Sequence, residues 1–255
     1  MWVEGEALAR SNSLPDVLAQ AIEAHGGAAR WRSLAAVEAE LSVRGLLFTM
    51  KQRPVLRHIR VRADARQPSF TFFDYPRPGQ SCQFLGEQEV RILDSAGNVV
   101  ASRANPREAF HSLRRQFHWD ALDFAYFGGY ATWNYLVTPF LFLREGFTFQ
   151  EMTPPPDLPQ GWSLIGVIFP ENLPTHSPRQ VFYFDERHLL RRLDYVAQVV
   201  GGWARAAHLC DEYREFQGIQ FPTRRRVRPL LMGPRPMPGP TLVAIDIHDV
   251  RLVEG

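Results

Sequence analysis

A chain of 255 residues that is 45% hydrophobic and 22% charged carries enough apolar material for a sizeable core and is too apolar to be disordered. Its formal charge of +2 is too small for an electrostatic hold on nucleic acid, so no nucleic-acid partner is expected. The opening Met1-Trp2-Val3-Glu4-Gly5-Glu6 has no basic region followed by an apolar run, and no stretch of about eighteen apolar residues occurs, so a cytoplasmic protein without a transmembrane helix is expected.

Ser13-Leu14-Pro15-Asp16 reads as a helix start, with Ser13 as the cap. Val17, Leu18, Ala21, Ile22 and Ala24 follow on one face, Gly26-Gly27 stops the helix, and a short second helix carries Trp31 and Leu34. From Val37 the period changes to two. Val37, Ala39, Leu41 and Val43 alternate with Glu38, Glu40, Ser42 and Arg44, and Ile59, Val61 and Ala63 alternate with arginines and Asp64, the mark of half-buried strands.

Phe70 to Tyr75 continues the pattern up to Pro76-Arg77-Pro78-Gly79. Hairpins at Cys82 to Leu85, Val90 to Leu93 and Val99 to Ala101 come next. Strand patterns return at 147–152, 162–169, 181–185, 189–197, 203–216, 221–230 and 242–253. About eleven of these candidates are expected as real strands. Short links such as Gln217-Gly218 favour an antiparallel meander, and the prolines at 154–156 and 234–240 read as loops. The chain is therefore expected as one domain over 1–255. Its parts are N-terminal helices in 1–35, first strands in 36–104, a helical insertion in 105–145 and the remaining strands in 146–255.

The insertion carries the strongest signal. Between Trp119 and Leu136 apolar residues surround the whole helical wheel, so this helix should be buried. Asp120 suits its cap and Pro139 its end, while Gly128-Gly129 marks a break or a close backbone contact. A buried helix midway through a meander fits the concave side of a curved sheet. The fold class expected is mainly β with inserted helices: a curved antiparallel half-barrel enclosing an apolar cavity plugged by helices.

The carboxy-terminal third runs from Phe182-Tyr183-Phe184-Asp185 through Leu193-Asp194-Tyr195 and Gly218-Ile219-Gln220-Phe221-Pro222-Thr223-Arg224 to Ile245-Asp246-Ile247-His248-Asp249-Val250. With the opening Ala24-His25-Gly26-Gly27, this succession resembles the lipoprotein-carrier, LolA/LolB-like superfamily over about two-thirds of the chain. The resemblance implies an open half-barrel that holds lipid chains under a lid of helices.

No nucleophile elbow, phosphate loop, Cys-x-x-Cys or His-Glu-x-x-His occurs. Asp123, Phe127, Tyr130 and Asn134, spaced by four, three and four, fall on one helical face. There Asp123 could take a proton while Tyr130 and Asn134 hold a ligand oxygen, or the three could simply satisfy one another and nearby backbone in a crowded core. Ligand-wall candidates are Phe70, Phe72, Tyr126, Trp133, Phe140, Phe142 and Trp203, with His118 beside them.

His208 and Cys210 share a strand face and Asp211 the other, which is no closed metal site; neither metal nor cofactor is expected. His25 reads as a helix-end histidine favoured by the dipole, and Arg224, Arg226 and Arg228 as a solvated face or, more sharply, a face for an acidic ligand or anionic surface. Cys82 and Cys210 could pair or serve as small buried hydrophobes. Two functions stay open: binding of a hydrophobic small molecule or lipid, or a cofactor-independent cyclase, isomerase or hydrolase acting in the same cavity. Oligomeric state leaves no mark in these patterns.

Overall fold

A computed structural model describes residues 10–230, 233 and 235–255. The opening Met1 to Glu6 and Pro234 lie outside the described residues. Among the described residues fourteen strands form one open antiparallel sheet in the order β1-β8-β9-β10-β11-β12-β13-β14-β2-β3-β4-β5-β6-β7. In chain order they are β1 (Arg10–Ser11), β2 (Leu34–Arg44), β3 (Leu56–Asp64), β4 (Ser69–Phe73), β5 (Ser81–Leu85), β6 (Glu89–Leu93) and β7 (Val99–Ala104). The second half holds β8 (Thr148–Met152), β9 (Ser163–Ile168), β10 (Arg179–Phe184), β11 (Leu190–Val196), β12 (Arg205–Phe216), β13 (Ile219–Pro229) and β14 (Val243–Glu254).

Each half is a meander, and β14 pairs with β2 to join them. All thirteen strand candidates form, two more than expected, and the two-residue β1 is added where Arg10 and Ser11 pair with Gln150 and Phe149. A strand that short carries no period of its own, so periodicity cannot find it. Register slips in both β14 and β2, at His248 and Ser42, where Ser42 Oγ lies 2.9 Å from His248 Nε2. Such irregularities bend strands and help curl the sheet into a half-barrel.

Five α-helices among the described residues accompany the sheet: α1 (Asp16–Ala24), α2 (Ala28–Arg32), α3 (Leu46–Met50), α4 (Leu113–Phe117) and α5 (Ala121–Val137). Ser13 does not cap α1. Pro15 occupies the cap position, and the Ser13 hydroxyl instead lies 2.6 Å from that of Ser11. Gly26 and Gly27, at φ of +125° and +85°, end α1, and the Gly27 N–H donates to the Ile22 carbonyl. Both cysteines are buried and unpaired.

Every residue of α5 is buried except Ala121 and Gly128. The helix runs unbroken through Gly128-Gly129, so the glycines serve close contact and not a break. It starts on a capping box in which the Asp120 carboxylate accepts the Asp123 N–H and the Asp123 carboxylate accepts the Asp120 N–H. It packs on β3 to β6. In sequence α5 lies between β7 and a strand at the far end of the sheet, so the insertion crosses the concave side and fills it.

Candidate functional site

The four residues of the stripe share α5, but Asp123 enters a network of its own while Phe127, Tyr130 and Asn134 adjoin one another. Asp123, 1% exposed, accepts from Arg103 and from Arg115 Nε at 3.1 and 3.2 Å, besides closing the capping box. Burial raises the pKa of neighbouring Asp120, but hydrogen bonds from Arg103 and the Asp123 N–H, with both arginine charges, bring it down to about 2. Asp123 is thus part of a two-carboxylate, two-arginine clasp that fixes the start of α5.

One turn on, Phe127 packs against Trp119 at 5.0 Å. Then Tyr130 Oη meets His176 Nδ1 at 3.1 Å, and His176 Nε2 meets Tyr135 Oη at 2.6 Å. Tyr135 Oη continues to Tyr195 Oη at 3.2 Å, and the His176 ring stacks on Tyr195 at 4.0 Å. Asn134 donates to the carbonyls of Tyr130 and Pro174, both at 2.8 Å. Tyr126 donates to Glu87 and accepts from Arg107.

Burial sets the chemistry of this cluster. It pushes the Tyr130 and Tyr135 hydroxyls well above the ordinary phenol value. Burial and the Arg107 charge pull His176 down to about 3. His176 is therefore neutral, donating at one ring nitrogen and accepting at the other, and both phenols keep their protons. A general acid–base group works best with a pKa near the operating pH, and all these groups are driven away from it. The arrangement is suited to locking α5 to β11 and the 170–178 loop.

Sequence reasoning missed His176, Tyr135, Tyr195 and Arg225. His176 sits in a loop without period, so no pattern points to it. Arg225 had a signal: alternation that turns Arg224, Arg226 and Arg228 outward turns Arg225 inward. It is 2% exposed and donates to Cys210 Sγ and the Tyr135 carbonyl, with no carboxylate partner among the described residues. His208 beside it is fully buried, edge-on to Tyr135 at 4.3 Å, and held neutral by burial. Among the described residues no three His, Cys, Asp or Glu side chains gather as metal ligands.

His25 departs from its expected role. It caps α1 but is 1% exposed, donates from Nδ1 to the Ala21 carbonyl at 2.7 Å, and is lowered to about 4 by burial. A neutral ring gains little from the helix dipole; packing holds it there.

The expected aromatic walls divide. Phe70 and Phe72 pack against each other, with Phe72 also against Phe124, inside the filled core. Phe142 belongs to a cluster with Phe147, Phe149, Phe169 and Phe182. His118 contacts Gln52 near α3. Trp203 is 69% exposed in the turn before β12, so it does not join the inner wall; the strand begins only at Arg205 and imposes no inward direction there. Trp133 and Phe140 do meet open space. Together with Trp31, Leu34, Val137 and Leu143 they line a hollow of about 310 Å³ between α2, the end of α5 and the Phe140–Leu143 turn. On the other side of Leu143 a wider, more open apolar recess of about 570 Å³ is lined by Leu14, Ile22, Ala24 and Ala28. Both hollows thus adjoin Leu143, one against α2 and the end of α5 and the other against α1.

An open antiparallel half-barrel filled by one long helix and lidded by short ones is a LolA-type fold. The chain superposes on a LolA superfamily protein from Nitrosomonas europaea with a TM-score of 0.51 and 10% identity, over 93% of this chain and 92% of that one. A DUF1329 family protein from Desulfovibrio piger matches with a TM-score of 0.49 and 13% identity, over 92% and 91%. No family model and no curated protein matches the sequence. No helix among the described residues is long and apolar enough to cross a membrane.

Proposed function

We propose that this protein binds a hydrophobic small molecule or lipid chain at the mouth of its half-barrel, in the two compartments that meet at Leu143. The observation that carries the reading is the placement of apolar space. The concave interior is filled by α5, whereas Trp31, Trp133 and Phe140 line one hollow, and Leu14, Ile22 and Ala28 a second, both within the size range of ligand sites. The fold likeness agrees with a carrier-type binding role. The buried His176 cluster, with its neutral imidazole and firmly protonated phenols, favours binding over acid–base catalysis.

The test is a titration with cis-parinaric acid, a fluorescent polyene fatty acid, on the wild-type chain and on Leu143→Glu. Leu143 is half-buried at the edge of the core, so the variant's melting temperature is measured beside the titration. Saturable binding that the variant weakens at least tenfold supports the reading. Equal binding by both proteins places the ligand elsewhere, and no binding by either ends it.

A further inference from the structure

We infer that the ligand is a single-chain amphiphile with a carboxylate head, and that Arg32, Arg66 and Arg144 hold that head. The inference rests on the binding reading above and specifies its ligand. All three arginines line the hollow of about 310 Å³ beside Trp133. Arg144 and Arg66 are adjacent, since Arg144 Nη1 donates to the Arg66 carbonyl at 2.6 Å, and Arg144 Cζ lies 5.9 Å from the Trp133 ring. Arg32 follows Trp31, whose ring stacks on Phe140 at 4.4 Å on the opposite wall. The cations thus rim a hollow whose floor is aromatic and aliphatic.

What sets these three apart is that they line one apolar hollow together without a counter-charge. Arginines elsewhere divide: Arg30 is matched to Glu254 at 2.7 Å and Arg62 to Glu38 at 2.6 Å, whereas buried Arg225 has no carboxylate partner among the described residues. Among the described residues Arg32, Arg66 and Arg144 have no carboxylate within ion-pairing distance. The acid that acts on Arg144 is Asp64, and its Oδ1 already accepts the Arg66 and Gln67 N–H groups at 2.7 and 2.8 Å. The Arg66 guanidinium also rests against Gly255. Three guanidinium groups at the edge of one apolar hollow, none of them in an ion pair among the described residues, leave their forked donors available to an anion.

A guanidinium cannot shed its proton, so burial of Arg144 raises its energy without neutralising it. An anion that brings its own apolar chain relieves both demands: its head takes the forked N–H donors and its tail covers Trp133 and Leu143. The small hollow favours a carboxylate over a bulkier phosphodiester head.

The experiment compares cis-parinaric acid with its methyl ester on the full chain at low salt, then repeats both on Arg32→Gln with Arg66→Gln, two exposed positions. The acid should bind at least tenfold more tightly than the ester. The double variant should lose that advantage while ester affinity and melting temperature stay within error. Equal affinity for acid and ester overturns the assignment of the head and leaves the binding reading intact. Dodecyl phosphate displacing the acid with tenfold higher affinity overturns the carboxylate. Failure of both probes to bind overturns the reading beneath it.

Discussion

Gly129 lies directly against Phe84: a Cβ on this glycine would stand 2.6 Å from Phe84 Cβ. This contact brings the backbone of α5 down onto β5 and lets one helix close the half-barrel. One residue earlier, a Cβ on Gly128 would press only on the tip of Phe72, at 3.1 Å, with the Phe124 ring at ordinary contact, 3.7 Å. The two glycines therefore predict different outcomes for the same change. Gly129→Ala should cost about 1–3 kcal/mol through overpacking. Gly128→Ala should be near neutral, because a gain of about 1 kcal/mol in helix propensity offsets a small shift of the Phe72 ring. Urea unfolding of both variants checks the pair, and equal midpoints would contradict the close seating of α5.

Asp123→Asn should act on stability and not on ligand affinity. It removes the charge that faces Arg103 and Arg115 but keeps an oxygen for the Asp120 N–H. The expected loss is about 1–3 kcal/mol from imperfectly paired buried groups. Affinity for cis-parinaric acid should change less than twofold, since the clasp lies at the opposite end of α5 from Trp133.

Stability should fall as the solution is acidified from pH 7 to pH 5. His25 and His176 are lowered to about 4 and about 3, and His208 well below its ordinary value, each chiefly by burial. Below about pH 6.5 the unfolded chain takes up protons that the folded chain refuses. The stability these neutral rings contribute is therefore complete above pH 6.5 and declines as pH falls toward the folded values. Each ring can contribute up to about 1.4 kcal/mol per pH unit in that window. Urea midpoints at pH 7, 6 and 5 test this; a flat profile would show that these histidines are not buried and neutral.

Tryptophan emission should report the site. Trp31 and Trp133 line the hollow, while Trp203 stands exposed and takes no part in its lining. Binding of cis-parinaric acid should quench emission strongly in wild type and in Trp203→Phe, and markedly less in Trp31→Phe. Loss of quenching confined to Trp203→Phe would move the site to the outer surface.

Most of the fold was legible because its elements carry strong periods. Val37 to Val43 and Ile59 to Ala63 alternate without error, and α5 is apolar all round between Asp120 and Pro139. The candidate site was legible only in part. Periodicity states which residues turn inward, as it did for Phe70, Phe72 and Trp133, but not which inward residues meet empty space. That depends on how α1 and α2 seat against the Phe140–Leu143 turn, a long-range packing outcome. Arg32, Arg66 and Arg144 stand far apart in sequence at element ends, where no pattern connects them. His176 gives no local sign of the tyrosines that close around it.

The most direct test of the account is photo-crosslinking with a fatty acid that carries a diazirine in its chain, followed by peptide mapping. The account predicts adducts on peptides from 14–34 and 133–144, which bear the walls on either side of Leu143, and their loss in Leu143→Glu. Adducts concentrated on β4 to β6 behind α5, or adducts unchanged in the variant, would contradict a ligand site at the mouth of the half-barrel.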